Sequence, residues 1–339
     1  MTRHWLRAAM VIAALSASPV LAQSGDFYKG KQIQIVIGSA AGGGYDAYGR
    51  IVQRHMGKHI AGNPTVIAQN MPGAGQTKAA GYISSVAPKD GTYIAAVSPG
   101  ALLVPVIGGP AIQFDPNKLQ YIGSANSDVY TCVTRPDSPV QKFSDALEKE
   151  WIIGVSTGTT RDMPMALKNV LHAKLRMVAG YPGTKDISLA YERNEVQGIC
   201  GLGYASLMSQ YPDWVPSGKA KVILQESIKG HPDLNKQGVP LALSFAKNEE
   251  DRQVLELIYS QGIFGRPFLV APEVPKDRVA ILRTAFMNTM KDPALVADAE
   301  RAKLDLDAIS GDEVQALIAK VYATPDRIVK RVKQALETE

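Results

Sequence analysis

From Lys31 to Gly38 (KQIQIVIG) the chain sets Ile33, Ile35 and Ile37 against Gln32 and Gln34 and then stops at glycine, the period-two pattern of a strand. The spacing of Ala47, Ile51 and Val52 predicts a helix over Asp46 to His55. Short strands follow at Thr65 to Ala68 and Tyr93 to Val97, with a helix of small residues from Thr77 to Val86 between them. The alternation resumes with strands at Val129 to Thr134, Trp151 to Ser156, Arg176 to Ala179, Gly198 to Gly201 and Lys221 to Gln225. Helices are expected at Ser144 to Lys149, Met163 to Ala173 and Ile187 to Asn194. The turn-rich, charged stretch Glu226 to Glu250 reads as a surface excursion. Beyond it come a strand at Ile263 to Val270 and helices at Lys276 to Met290, Gly311 to Val321 and Pro325 to Leu336. Strands alternating with helices at short intervals predict an α/β fold with mainly parallel sheets covered by helices.

Residues 1–22 follow a different pattern. Arg3 and Arg7 precede the uncharged apolar run Ala8 to Leu15, and small residues in Pro19-Val20-Leu21-Ala22 fit cleavage before Gln23, as in a secretory signal peptide. The run is far short of the roughly 20 apolar residues that span a bilayer. An exported, periplasmic chain is expected. With 339 residues and 45% hydrophobic content, the sequence has room for two domains and excludes wholesale disorder. The 37 Lys and Arg against 32 Asp and Glu give +5, but without Arg3 and Arg7 the balance is 35 against 32, or +3. Part of the basic excess is therefore an export feature. No basic stripe with interleaved aromatics marks a nucleic-acid partner.

Three loops carry the candidate chemistry, and each leaves a strand and enters a helix. Gly38-Ser39-Ala40-Ala41-Gly42-Gly43-Gly44-Tyr45-Asp46 lets backbone N–H groups converge on an anion at a helix start. It lacks the Gly-Lys-Ser/Thr of a phosphate-binding Walker loop. Gly42, Gly44 and Ala47 match the dinucleotide pattern, yet the next acidic residue after Ala47 is Asp90, too far to hold a ribose. Asn70-Met71-Pro72-Gly73-Ala74-Gly75-Gln76-Thr77 has the same character, so two such loops would form a rim of donors at the carboxyl edge of the sheet. The third loop, Ser156-Thr157-Gly158-Thr159-Thr160-Arg161-Asp162, offers hydroxyl donors suited to a carboxylate. It also contains Gly154-x-Ser156-x-Gly158, the nucleophile pattern of serine hydrolases. A secreted hydrolase using Ser156 is therefore the alternative, with His231 as the only histidine after His172.

His55 and His59 stand four apart beside Arg54 and Lys58, which reads as a solvated basic face rather than a metal site. Cys132 and Cys200 lie in two predicted strands. Export permits a disulfide, and two buried thiols fit the sequence equally. No cofactor is expected.

Gly42-Gly43-Gly44-Tyr45-Asp46, then Asn70-Met71-Pro72-Gly73-Ala74-Gly75, then Ala87-Pro88-Lys89-Asp90-Gly91-Thr92 form an ordered set. Together with Arg135-Pro136-Asp137-Ser138-Pro139, Tyr181-Pro182-Gly183-Thr184 and the Pro267 to Pro275 segment, it resembles the solute-binding receptors of tripartite tricarboxylate transporters, the Bug or TctC type. The resemblance implies a type II periplasmic binding protein with two lobes around a ligand cleft. It divides the chain into a first domain of 23–124 and 227–339 and a second of 125–226. It also implies a monomer that captures a small carboxylate, makes and breaks no bond, and delivers the ligand to multi-span membrane subunits. By position it carries ligand contacts to Ser39, Ala40, Ala41, Gly43, Tyr45 and Asp46, to Ser156, Thr157, Gly158, Thr159 and Thr160, and to Ala205 and Ser206. The sequence departs from the family in Ala40 and Ala41, which stand where prolines are usual, and in Arg161 and Asp162. Those two charges either reach a second ligand group or cap the helix that follows.

Overall fold

The computed structural model describes residues 27–107, 111–156 and 158–337. The expected signal segment and Thr157 lie outside them. The first lobe begins with β1 (Gln32–Ile37), α1 (Gly44–Met56), β2 (Thr65–Asn70), α2 (Thr77–Ser85), β3 (Tyr93–Ala96), α3 (Pro99–Ile107) and β4 (Gln120–Ser124). The second lobe comprises β5 (Tyr130–Thr134), α4 (Phe143–Ala146), β6 (Trp151–Gly154), α5 (Thr159–Asn169), β7 (Leu175–Val178), α6 (Thr184–Glu192), β8 (Gly198–Gly203), α7 (Tyr204–Gln210) and β9 (Lys221–Glu226). Then come α8 (Pro232–Lys236), α9 (Glu249–Tyr259), β10 (Pro267–Val270), α10 (Lys276–Met290), α11 (Pro293–Arg301), β11 (Ile309–Ser310), α12 (Gly311–Tyr322) and α13 (Asp326–Leu336). No described helix is long and apolar enough to cross a membrane.

The strands form two sheets, ordered β11-β4-β10-β3-β1-β2 and β7-β6-β8-β5-β9. Both are mixed rather than mainly parallel, which corrects the expectation from the sequence. The βα units β1 to β3 and β6 to β8 pair in parallel, whereas β10 and β5, which lie next to the crossings between lobes, enter antiparallel to their neighbours. Period-two alternation buries both faces of the second sheet. Cys132 and Cys200 face one apolar cluster, while Val133 and Ile199 face another that includes Trp214 and Leu234. Cys132 and Cys200 therefore share a face on neighbouring strands, and their sulfurs are bonded at 2.02 Å. The sequence left that question open.

Two stretches connect the lobes side by side. The Ala125 N–H donates to the Arg266 carbonyl at 3.0 Å and the Asp128 N–H to the Gly262 carbonyl at 2.7 Å. Between these contacts Arg266 and Asp128 form a buried ion pair, Nη2 to Oδ2 3.1 Å. The stretch after β9 is no surface excursion. Leu234 joins the second lobe's core, Phe245 meets Phe143 edge-on at 4.8 Å, and α9 packs on α5. Glu226, expected on the surface, is fully buried. These residues lie against the second sheet although the sequence reading placed 227–339 with the first.

The chain passes to the second lobe once more. After α12, which packs on β4, α13 buries Ile328, Val332, Ala335 and Leu336, a helical stripe, against α3 of the first lobe and α5 and α9 of the second. Arg331 pairs with Asp251 of α9 at 2.8 Å.

Candidate functional site

A cleft of about 940 Å³ opens between the lobes. Its walls include Tyr45 at the start of α1, Thr77 at the first position of α2, Ser98 and Gly100 around the start of α3, Thr159 at the first position of α5 and Thr184 at the first position of α6. Helix starts, and with them the positive ends of helix dipoles, thus converge from both lobes on one space, which suits an anion.

The first-lobe loops are cross-braced by side chains. Asp46 accepts from the Gly42 N–H at 2.9 Å, from Arg50 Nε at 2.9 Å and from Asn70 Nδ2 at 2.8 Å. Asn70 Nδ2 also donates to the Ser39 carbonyl at 2.9 Å, so the first and second loops are stitched together. Burial pushes the Asp46 carboxyl up, but these donors outweigh it and hold the group below its ordinary range. Gln76 takes a left-handed backbone conformation (φ 75°), and its side-chain oxygen accepts from the Ser98 N–H at 2.9 Å. That brace lies tight against Gly38, where a Cβ would come within 2.8 Å of Gln76 Cβ.

Under the first loop, the Arg266 guanidinium lies 4.4 Å from the Tyr45 ring centre and 5.1 Å from that of Tyr48. Tyr45 bonds to Tyr130, and both line the cleft. Burial raises the Asp128 carboxyl while Arg266 and the Ala205 N–H pull it back. The loop that carries the cleft's Tyr45 therefore rests on the ion pair joining the two connections between lobes.

The second-lobe rim is built differently. Gly158 (φ 63°) precedes α5 with no side-chain cap. Thr159 Oγ1 donates to the Gly201 carbonyl at 2.9 Å, and the Gly201 N–H donates to Glu226 Oε2 at 2.7 Å. Gly201 (φ 71°) admits no side chain, because a Cβ there would stand 2.1 Å from the Thr159 carbonyl oxygen. Burial pushes the Glu226 carboxyl up to about 8, so this brace is a protonated acid at neutral pH. Arg161 Nη1 pairs with Asp162 at 2.9 Å, and its Nη2 donates to the Leu336 carbonyl at 2.6 Å. Neither residue caps α5 through its side chain, and α5 begins four residues earlier than the apolar spacing suggested.

Of the residues carried over by resemblance, Tyr45, Gly158 and Thr159 line the cleft. Ala40, Ala41 and Gly43 are exposed in the first loop, and the Ser39 hydroxyl is buried without a partner among the described residues. Asp46 is committed to bracing that loop, so its carboxylate holds the backbone and is not open to a ligand. The Ala205 N–H is committed to Asp128. Ser206 sits across from the first loop, its Oγ 3.6 Å from where a Cβ on Gly44 would lie. Ser156 is half-buried and Thr160 buried. Ser156 has no positive φ of the kind a strained nucleophile turn imposes. His231 accepts from the Asp233 N–H through Nδ1 to cap α8, and its ring lies on Tyr204. His55 Nε2 and His59 Nε2 each lie 2.7 Å from a carboxylate oxygen, of Asp298 and Asp292, on a face where Arg54 and Lys58 are half-exposed. Gln76, Ser98, Tyr130, Gln261 and Lys333 line the cleft without having been singled out. Gln76 alone lay in a marked loop, and the others belong to no local motif.

A family model described as "Tripartite tricarboxylate transporter family receptor" matches residues 49–151. The chain is 30% identical over 234 residues to a Cupriavidus necator protein described as "UPF0065 protein in gbd 5'region", covering 65% of this chain and 68% of that one. Its fold matches a TctC solute-binding protein from Polaromonas (TM-score 0.66, 18% identity, 90% of this chain and 99% of that one). It also matches MatC from Rhodopseudomonas palustris, solved with bound malate (0.63, 17%, 91% and 99%), and an R. palustris protein solved with adipate (0.66, 16%, 89% and 97%). With a two-lobed α/β fold, a cleft at its helix starts and these relatives, the chain belongs to the TctC-type receptor family of tripartite tricarboxylate transporters.

Proposed function

We propose that the protein is an exported receptor that captures a small organic carboxylate in the cleft between its lobes and presents it to the membrane subunits of a tripartite transporter. The observation that carries this reading is the convergence of the starts of α1, α2, α3, α5 and α6 on one cleft, with loops fixed before any ligand arrives. Preorganised N–H donors hold a carboxylate at low cost because little must be reordered on binding. Ser98 and Thr184 supply hydroxyls beside those donors, whereas the Thr77 and Thr159 hydroxyls already donate to the Ala74 and Gly201 carbonyls and hold the rim. The exposed backbone of Ala40, Ala41 and Gly43, the Ser39 hydroxyl, Ser156, Thr157, Thr160 and Ser206 would approach the ligand as the lobes adjust around it. The malate and adipate bound in two proteins of the same fold agree with this ligand class. The family and fold relatives are binding proteins, and the reading assigns no bond-making step to Ser156.

A thermal-shift screen of the protein against mono-, di- and tricarboxylates tests the proposal. At least one acid should raise the melting temperature, with about 4 kcal/mol of stabilisation when its concentration is a thousandfold above Kd. A panel in which no carboxylate shifts the transition would overturn it.

A further inference from the structure

One wall of the cleft comes from the C-terminal helix rather than from the loops. Lys333 and Leu336, three residues apart on one helical face, line it together with Glu337 just past the helix end. The register of that face is fixed from both sides. Val332, Ala335 and Leu336 are buried in the core, Asn169 Nδ2 of α5 donates to the Ala335 carbonyl at 2.8 Å, and Arg161 donates to Leu336.

Among the cleft's cations, Arg161 is committed to Asp162 and to the end of α13. The Lys333 ammonium is exposed, and no carboxylate among the described residues lies within ion-pair range of it. We propose that α13 forms part of the ligand site and that Lys333 is the counter-ion for a second acidic group on the ligand, so that it selects diacids over monoacids. This rests on the carboxylate-receptor reading above. A single carboxylate satisfies the helix starts and leaves the ammonium facing water, whereas a second one gains a charge-assisted bond in a half-enclosed space. Glu337, just past the end of α13 and also lining the cleft, works against that second charge.

Isothermal titration with acids of matched length provides the test: succinate against butyrate, glutarate against pentanoate, and adipate against hexanoate. For at least one length the wild type should bind the diacid about tenfold more tightly than the monoacid. Lys333→Ala should erase that ratio and leave monoacid affinity within about twofold, Lys333→Arg should keep it, and Glu337→Gln should increase it. Circular dichroism melting of each variant separates a lost contact from a damaged helix. An unchanged ratio in Lys333→Ala, an equal loss for both acids, or a wild type that does not distinguish them overturns the assignment of Lys333 alone. A wild type that binds none of the six acids overturns this assignment, and the receptor reading falls with it only where the thermal-shift panel of mono-, di- and tricarboxylates is flat as well.

Discussion

On the first-lobe side of the cleft, ionised Asp46 gathers Gly42, Arg50 and Asn70 around itself beneath the loop. On the second-lobe side, Glu226 sits fully buried behind β8 and reaches Thr159 only through the backbone of Gly201. One carboxyl is held charged by its donors, and the other is held neutral by burial, with no partner cation among the described residues. The same residue chemistry thus braces both rims in opposite protonation states. The two halves of the site should therefore fail at opposite ends of the pH scale.

Glu226 gives the largest test of that contrast. Between its ordinary value of 4.5 and about 8, the folded chain holds a proton that the unfolded chain has released, so stability falls as pH rises and levels off above about 8. Glu226→Gln removes this dependence. In denaturant titrations the wild type should lose on the order of 4 kcal/mol relative to the variant between pH 5 and pH 8. Parallel curves would show that Glu226 is not the neutral brace. Next in size, Gly201→Ala forces a Cβ into the Thr159 carbonyl and should cost about 3 kcal/mol, with ligand affinity falling as the start of α5 is displaced. A variant of wild-type stability would mean that the rim yields freely there.

Asp46→Ala acts on the opposite side. It leaves Gly42, Arg50 and Asn70 without their acceptor and should cost about 2 kcal/mol. The stabilisation it removes is present above the ordinary Asp value of 3.8 and is lost as pH falls below it through the depressed native value. The wild-type advantage should thus shrink only in acid, the reverse of Glu226. Smallest of the four, Arg161→Ala should cost about 1 kcal/mol, because its bonds lie near the cleft surface. It should weaken protection of α13 from hydrogen exchange while leaving α1 unchanged.

Much of this frame was legible in the chain. The alternation of isoleucines marked β1, and apolar spacing placed α1 and α10 to within a residue or two. Spacing failed where other signals dominate. No element was expected over Pro99–Ile107, yet Pro99 opens α3 and Pro105 is accommodated within it. Thr159 to Asp162 lack apolar periodicity because they form the cleft-facing first turn of α5. Residues of all three marked loops line the cleft, at strand ends where backbone and small residues leave room for it. That the Asp46 carboxylate turns back onto Gly42, Arg50 and Asn70 could not be read from sequence, which does not show which way a side chain points. Lys333 went unmarked because its neighbours in space, the starts of α3 and α5, are far from it along the chain.

The hydrogen bonds that hold the two rims differ in the length of chain they span. Asn70 reaches Ser39 across 31 residues, whereas Arg161 reaches Leu336 across 175. Closing the longer loop costs about 1.5 kcal/mol more in chain entropy, and contacts so distant in sequence form late in folding. The first rim should therefore assemble early and the second only as α13 docks. Ligand added during refolding should leave the early collapse rate unchanged and act on the final docking step.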